Sequence, residues 1–272
     1  MYRQFYGFQD EPFRLTPDPR FLYLTTQHRE ALNHLLYGIR QRKGFICLTG
    51  EVGTGKTTLC RALLRQLGPG YHTALILNPM LSRTQLVRAI ADEFGVEVPP
   101  PRDRLAGLAA LDAFLLRINA AGHDAVLIID EAQDMPTRCL ELVRLLGNLE
   151  TETQKLLQIV LMGQPELRAK LQAPALRQLA QRITVRFHLQ PMSLDDTEGY
   201  LRHRLEVAAG DTGTVCFEAG AVREIFRYSQ GTPRLVNAVS DKALLAGYVY
   251  QTRRIGRHLA RLAAAELRGV TR

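Results

Sequence analysis

Cysteine is scarce and unpaired. Cys47, Cys60, Cys139 and Cys216 lie far apart and form no CxxC pair. That spacing argues against a disulfide framework or a cysteine metal site and for reduced thiols in a cytoplasmic protein. Long apolar runs are missing too: none reaches the ~18 residues that span a bilayer. The opening MYRQFYGFQDEPF lacks the apolar stretch of a signal peptide, so a membrane role would need a partner. No ligand spacing links the seven histidines; His28 and His34 are nearest to each other and read as surface or packing residues. No Ser-His-Asp set emerges. Although the net charge is +8, no block of five or six consecutive basic residues occurs. The positive charge leaves nucleic acid, nucleotide phosphates and anionic lipid open as acidic partners, while scattered arginines also make solvated faces and subunit contacts.

What is present describes a globular chain of 272 residues, 46% hydrophobic and 23% charged, enough for one large domain or two modest ones. Residues 1–25 are rich in aromatics and proline (Phe5, Tyr6, Phe8, Pro12, Phe13, Pro17, Pro19, Phe21, Tyr23). The prolines argue against helix there, and the aromatics call for burial, as in a segment that wraps the domain that follows. From residue 26 to residue 190, short apolar runs at 45–49, 73–77, 125–129, 156–162 and 183–188 alternate with helical patterns at 26–42, 56–67, 82–94, 103–121, 136–149 and 165–180, the third and fourth helices of this series parted by a break at Pro99-Pro100-Pro101. Continuously apolar strands separated by helices mark a parallel sheet sandwiched by helices. After Pro191 the strands stop. Helical patterns at 193–209, 218–229, 233–249 and 254–268 give a small all-helical domain over 191–272.

Gly50-Glu51-Val52-Gly53-Thr54-Gly55-Lys56-Thr57 fits G-x-x-x-x-G-K-[ST]. The glycines let the backbone curl so that successive N–H groups face phosphate. The helix beginning there, with Thr58 in its first turn, adds its positive end. Lys56 is placed for the β- and γ-phosphates of ATP, and the Thr57 hydroxyl for Mg²⁺. Val126–Ile129 leads into Asp130-Glu131, where a hydrophobic strand adjacent to the phosphate loop would deliver Asp130 to Mg²⁺ and Glu131 to the attacking water. The strand at 156–162 ends in Gly163-Gln164-Pro165. Gln164 there can touch the γ-phosphate and the lytic water, or else is a turn residue opening the next helix. Arg182, and next Arg177, stand just before the last strand as candidates for a finger reaching a neighbouring subunit's γ-phosphate; a plain salt bridge is the alternative for either. Gly231-Thr232-Pro233-Arg234 opens a helix from which Arg234 can swing onto the nucleotide.

Together these motifs resemble the AAA+ superfamily of P-loop ATPases. The longer matches, Phe5-Tyr6-Gly7-Phe8, Thr16-Pro17-Asp18-Pro19-Arg20-Phe21, His28-Arg29-Glu30-Ala31-Leu32, Leu48–Arg61, Gly163-Gln164-Pro165-Glu166-Leu167 and Leu179-Ala180-Gln181-Arg182-Ile183, are similar to the ExeA-like family. That is the general secretion pathway protein A type, with soluble relatives from MSHA-pilus loci. The resemblance implies Mg-dependent ATP hydrolysis and self-association into a ring or filament. It also implies a partner in an inner-membrane, secretion or pilus assembly, with recruitment to the inner-membrane surface. The helical domain becomes an AAA+ lid. The same core resembles transposition helper ATPases, which keeps a nucleotide-switched DNA-binding adaptor as the alternative. A third reading is an ATP-dependent scaffold that does not hydrolyse.

Overall fold

A computed structural model describes residues 2–14, 18–100, 103–152, 154–209 and 215–269. Thr16 and Pro17 of the N-terminal motif and Pro101 of the proline break lie outside the described residues. In chain order the structure runs α1 (Tyr2–Tyr6), α2 (Thr26–Arg40), β1 (Phe45–Gly50), α3 (Lys56–Leu67), β2 (Tyr71–Ile76), α4 (Arg83–Glu93), α5 (Arg104–Ala120), β3 (Asp124–Ile129), α6 (Thr137–Leu146), β4 (Leu157–Gly163), α7 (Pro165–Leu171), α8 (Arg177–Arg182) and β5 (Ile183–Leu189). It continues through α9 (Leu194–Ala209), β6 (Cys216–Phe217), α10 (Ala219–Ser229), α11 (Pro233–Val249), β7 (Arg254–Ile255) and α12 (Arg257–Leu267). The chain forms two compact units, one of residues 27–51 and 56–189, the other of residues 1–26, 52–55 and 190–272.

The first unit is built on a five-stranded sheet in the order β2-β3-β4-β1-β5, with every neighbouring pair parallel. Every residue of β1 and β4 is buried, as are five of the six in β3. Strands covered on both faces must be apolar throughout, which is why these runs show no alternation. The acid-bearing strand does not adjoin the strand of the phosphate loop, as the sequence had suggested: β4 lies between β1 and β3. Pairing of β2 begins early, because the Asp124 N–H donates to the Gly70 carbonyl at 3.0 Å. The strand therefore sits two residues before the expected start, and Leu77 falls outside it, exposed. The single helix expected over 165–180 is broken into α7, a 3-10 turn at Pro174–Leu176 and α8. Pro174 has no N–H to continue the ladder, and its ring crowds the carbonyl four residues back.

In the second unit the aromatic residues Tyr6, Phe8, Phe13 and Phe21 are buried in one core with Tyr200, Leu201, Ile225, Val239 and Leu244. The N-terminal segment thus joins the helices of 194–267 in a common core. It also contains a helix that the prolines had argued against. α1 precedes the first proline, Pro12, so the restriction never reaches it. The helix ends in a Schellman pair, with Phe8 N–H to Arg3 O at 2.8 Å and Gly7 N–H to Gln4 O at 3.2 Å. The Tyr6 hydroxyl ties it down by donating to the carbonyl of Leu244 at 2.9 Å. The strands do not quite stop after Pro191, because β6 and β7 form a two-residue parallel pair.

Candidate functional site

Parallel strands bring their C-terminal ends to one edge of the sheet, and the motif residues collect there. The loop after β1 runs straight into α3, whose first residue is Lys56. Gly53 and Gly55 adopt φ of +79° and +100°, the left-handed region that glycine enters without steric cost. Thr54 and Lys56 are buried, whereas Glu51 and Val52 are exposed. The Lys56 ammonium donates to the Gly50 carbonyl at 2.7 Å and the Glu51 carbonyl at 3.0 Å. Burial pushes its pKa below the ordinary lysine value, against the pull of Glu131, Asp130, Glu51 and Glu166. A buried cation held by bare carbonyl oxygens is well placed for stronger anionic acceptors such as phosphate.

Asp130 is buried immediately after β3, and its own N–H continues the ladder to the Ile76 carbonyl at 2.9 Å. Its Oδ2 accepts from the Thr57 hydroxyl at 2.9 Å, and its Oδ1 from the Glu131 N–H at 2.9 Å. A hydroxyl and a carboxylate oxygen in direct contact form the hard donor set that suits Mg²⁺ when phosphates and waters complete the shell. Among the described residues, no three His, Cys, Asp or Glu side chains gather as an all-protein metal cage.

Glu131 sits at φ +50°, an uncommon conformation for a residue with a side chain and one that concentrates at functional turns. Its Oε2 accepts from the Gln164 side-chain amide at 3.2 Å and from the Gln133 amide at 2.8 Å. Gln164 therefore comes to Glu131 from the end of β4. Nothing in the sequence marks Gln133, which also joins this set. It carries no motif signature, and its place follows only from the 3-10 turn Ala132–Asp134.

Gly231-Thr232-Pro233-Arg234 belongs to the second unit, together with residues 52–55. A Cβ on Gly231, which has φ +74°, would lie 1.9 Å from the Met192 carbonyl oxygen, so only glycine fits. Pro233 opens α11, where a missing N–H costs nothing. Arg234 is exposed, and its N–H reaches the Gly53 carbonyl at 3.4 Å. The remaining candidates lie elsewhere, on α8. Arg182 is tethered within its own unit, donating to the Arg144 carbonyl at 3.2 Å and to Asn148 Oδ1. Arg177 is exposed at the first position of that helix.

Known proteins share both the sequence and the fold. An AAA domain family model matches residues 39–171. General secretion pathway protein A of Aeromonas hydrophila is 47% identical over 277 residues, covering 99% of this chain and 49% of that protein; the chain thus spans about half the length of that relative. Among solved structures, Aeropyrum pernix ORC2 in its ADP form superposes with a TM-score of 0.69 at 18% identity, over 96% of this chain and 73% of that one. The Thermotoga maritima RuvB Holliday junction branch migration motor gives 0.56 at 21% identity, over 88% and 69%. At such identities these structures speak to fold alone. With its sheet order and the sequence it shares, the chain belongs to the AAA+ superfamily and, within it, to the ExeA-like family of general secretion pathway protein A.

Proposed function

We propose that this chain binds Mg-ATP at residues 50–57 and hydrolyses it, and that turnover powers or regulates assembly of a cell-envelope secretion or type IV pilus-like machine. One observation carries the chemistry. Thr57, Asp130, Glu131 and Gln164, drawn from three separate strand ends, form one continuous hydrogen-bonded set beside the buried Lys56.

In this reading Lys56 exchanges the loop carbonyls for phosphate oxygens, and the amides of Gly53–Thr58 face the same phosphates. Thr57 and Asp130 hold Mg²⁺, which neutralises charge on the phosphate oxygens when bound. Glu131 takes a proton from water as the water oxygen bonds to the γ-phosphorus and the bond to the β,γ-bridging oxygen breaks, giving ADP and phosphate. Gln164 orients that water, and Arg234 contacts the nucleotide from α11. An arginine of α8 completes the site of a neighbouring subunit in a ring or filament. Arg177 is favoured over Arg182, because Arg182 already serves Arg144 and Asn148. The envelope role rests on the 47% identity to general secretion pathway protein A. It implies work at the cytoplasmic face beside an inner-membrane, secretion or pilus assembly partner.

Two variants test the chemistry. Lys56→Ala should weaken ATP binding about a hundredfold or more, the weight of a buried charge-assisted contact. Glu131→Gln should bind ATP normally yet retain about 1% of turnover or less. Unchanged affinity in the first or normal turnover in the second refutes the assignment. The net charge of +8 favours a second reading, a nucleotide-switched DNA adaptor. ATP-dependent binding of duplex DNA that weakens steeply with salt would support it.

A further inference from the structure

Gln133 stands two residues beyond Glu131, in the turn between β3 and α6, and uses all of its amide. Its Nε2 donates to Glu131 Oε2 at 2.8 Å and to Asp134 Oδ2 at 3.2 Å. Its Oε1 accepts the backbone N–H of Gln164 at 3.0 Å. That N–H can only donate, so it settles which way the amide faces. A flipped amide would set NH₂ against N–H and a carbonyl oxygen against a carboxylate. The turn is anchored from outside by Lys170, whose ammonium donates to the Gln133 carbonyl at 2.8 Å and to the Met135 carbonyl. Gly163 makes room for the bridge: a Cβ there would lie 2.6 Å from Gln133 Oε1.

We infer that Gln133 is a positioning residue that fixes the Glu131 carboxylate against the end of β4, a role that rests on Glu131 being the base proposed above. Both amide donors, from Gln133 and Gln164, converge on Oε2. Oε1 accepts no hydrogen bond from the described residues, which leaves it for water. A carboxylate on a left-handed residue has rotamers to lose, and two donors on one oxygen select a single orientation. Because the Gln133 amide also holds the Gln164 backbone, a shift of β4's end and a shift of the base are one event. Proximity and orientation of this kind act on the chemical step and not on binding.

The test is steady-state ATPase and nucleotide-affinity measurement on the full chain with Gln133→Met, which keeps the side-chain length but has no amide. A second variant, Gln133→Glu, keeps the shape but sets a carboxylate against Oε2. Both should bind ATP within about twofold of wild type. Both should lose about tenfold to a hundredfold in kcat with little change in KM, the weight of one hydrogen bond to a charged acceptor. In a Glu131→Gln background, Gln133→Met should lower the residual rate no further, because its effect passes through Glu131. Wild-type or raised kcat overturns the inference, as does a loss of affinity matching the loss of rate, or a further fall in the Glu131→Gln background. Melting curves check folding, and if Gln133→Met fails to fold the near-isosteric Gln133→Glu decides. Should wild type itself neither bind nor turn over ATP, the proposed function falls first; an active wild type with an indifferent Gln133 sinks this inference alone.

Discussion

Single residues in this protein are tuned mainly by burial. The Cys47 thiol is pushed up to about 11 and the Cys60 thiol to about 12, in each case chiefly by desolvation. Burial also raises Cys139, whose Sγ donates to the Leu81 carbonyl at 3.1 Å. Thiolate is the reactive species, so these three should resist alkylation in the native fold while the exposed Cys216 reacts. Iodoacetamide at pH 8 followed by peptide mass spectrometry should find one adduct, at Cys216, and four after denaturation. Lys56 obeys the same rule with opposite charge: burial disfavours its ammonium, so any acidic ligand that arrives gains a cation with little hydration left to give up. This much of the site could be read in the sequence, because G-x-x-x-x-G-K-[ST] names its atoms one by one. Gln133 could not. Glutamine two residues past an acid is unremarkable until the turn places it against Gln164, and that juxtaposition comes from a contact 31 residues apart.

At the scale of elements, periodicity served well where one physical cause acted alone. The strands covered on both faces and the long helix α11 fell where apolar patterning put them, α11 with both ends at the expected residues. Patterning failed where a local and a distant cause competed. Pro174 cut one expected helix, and α1 formed because its aromatic face found a partner far along the chain. The part of the N-terminal segment that follows α1 has its own fulcrum in Arg204, buried on α9. Its guanidinium lies 4.7 Å from the centre of the Phe21 ring and donates to the carbonyls of Pro12 and, at 3.1 Å, Arg14. Burial lowers its pKa from the usual arginine value. Arg204→Ala should cost about 2–3 kcal/mol in a denaturant melt, through two lost charge-assisted bonds and lost stacking. It should also speed tryptic cleavage after Arg20. A melt within about 0.5 kcal/mol of wild type, with unchanged cleavage, would show that Pro12, Arg14 and Phe21 keep their places without Arg204.

For the whole molecule the open quantity is how many copies make one active site. If an α8 arginine works on a neighbour's nucleotide, protomers carrying Arg177→Ala and Lys56→Ala are each inactive alone but supply complementary halves when mixed. ATPase titrated against mixing ratio should then peak near equal proportions, with Arg182→Ala giving the weaker effect. A flat titration, with mixed oligomers confirmed by native mass spectrometry, rules out a finger at Arg177. No helix among the described residues is long and apolar enough to cross a membrane.

The place of β4 in the sheet has one more consequence. It is laced to β1 on one side and β3 on the other, its seven residues all buried, and its Gln158 Oε1 also accepts the Gly44 N–H at 2.9 Å. Amide protons in such a strand exchange with solvent only when the whole unit opens. Its tip is therefore the surveyor's fixed mark of the sheet's C-terminal edge. The turn that follows β3 is pinned to that tip, since Gln133 Oε1 accepts the Gln164 N–H at 3.0 Å, which makes Gln164 the natural zero from which any displacement of the two acids is read.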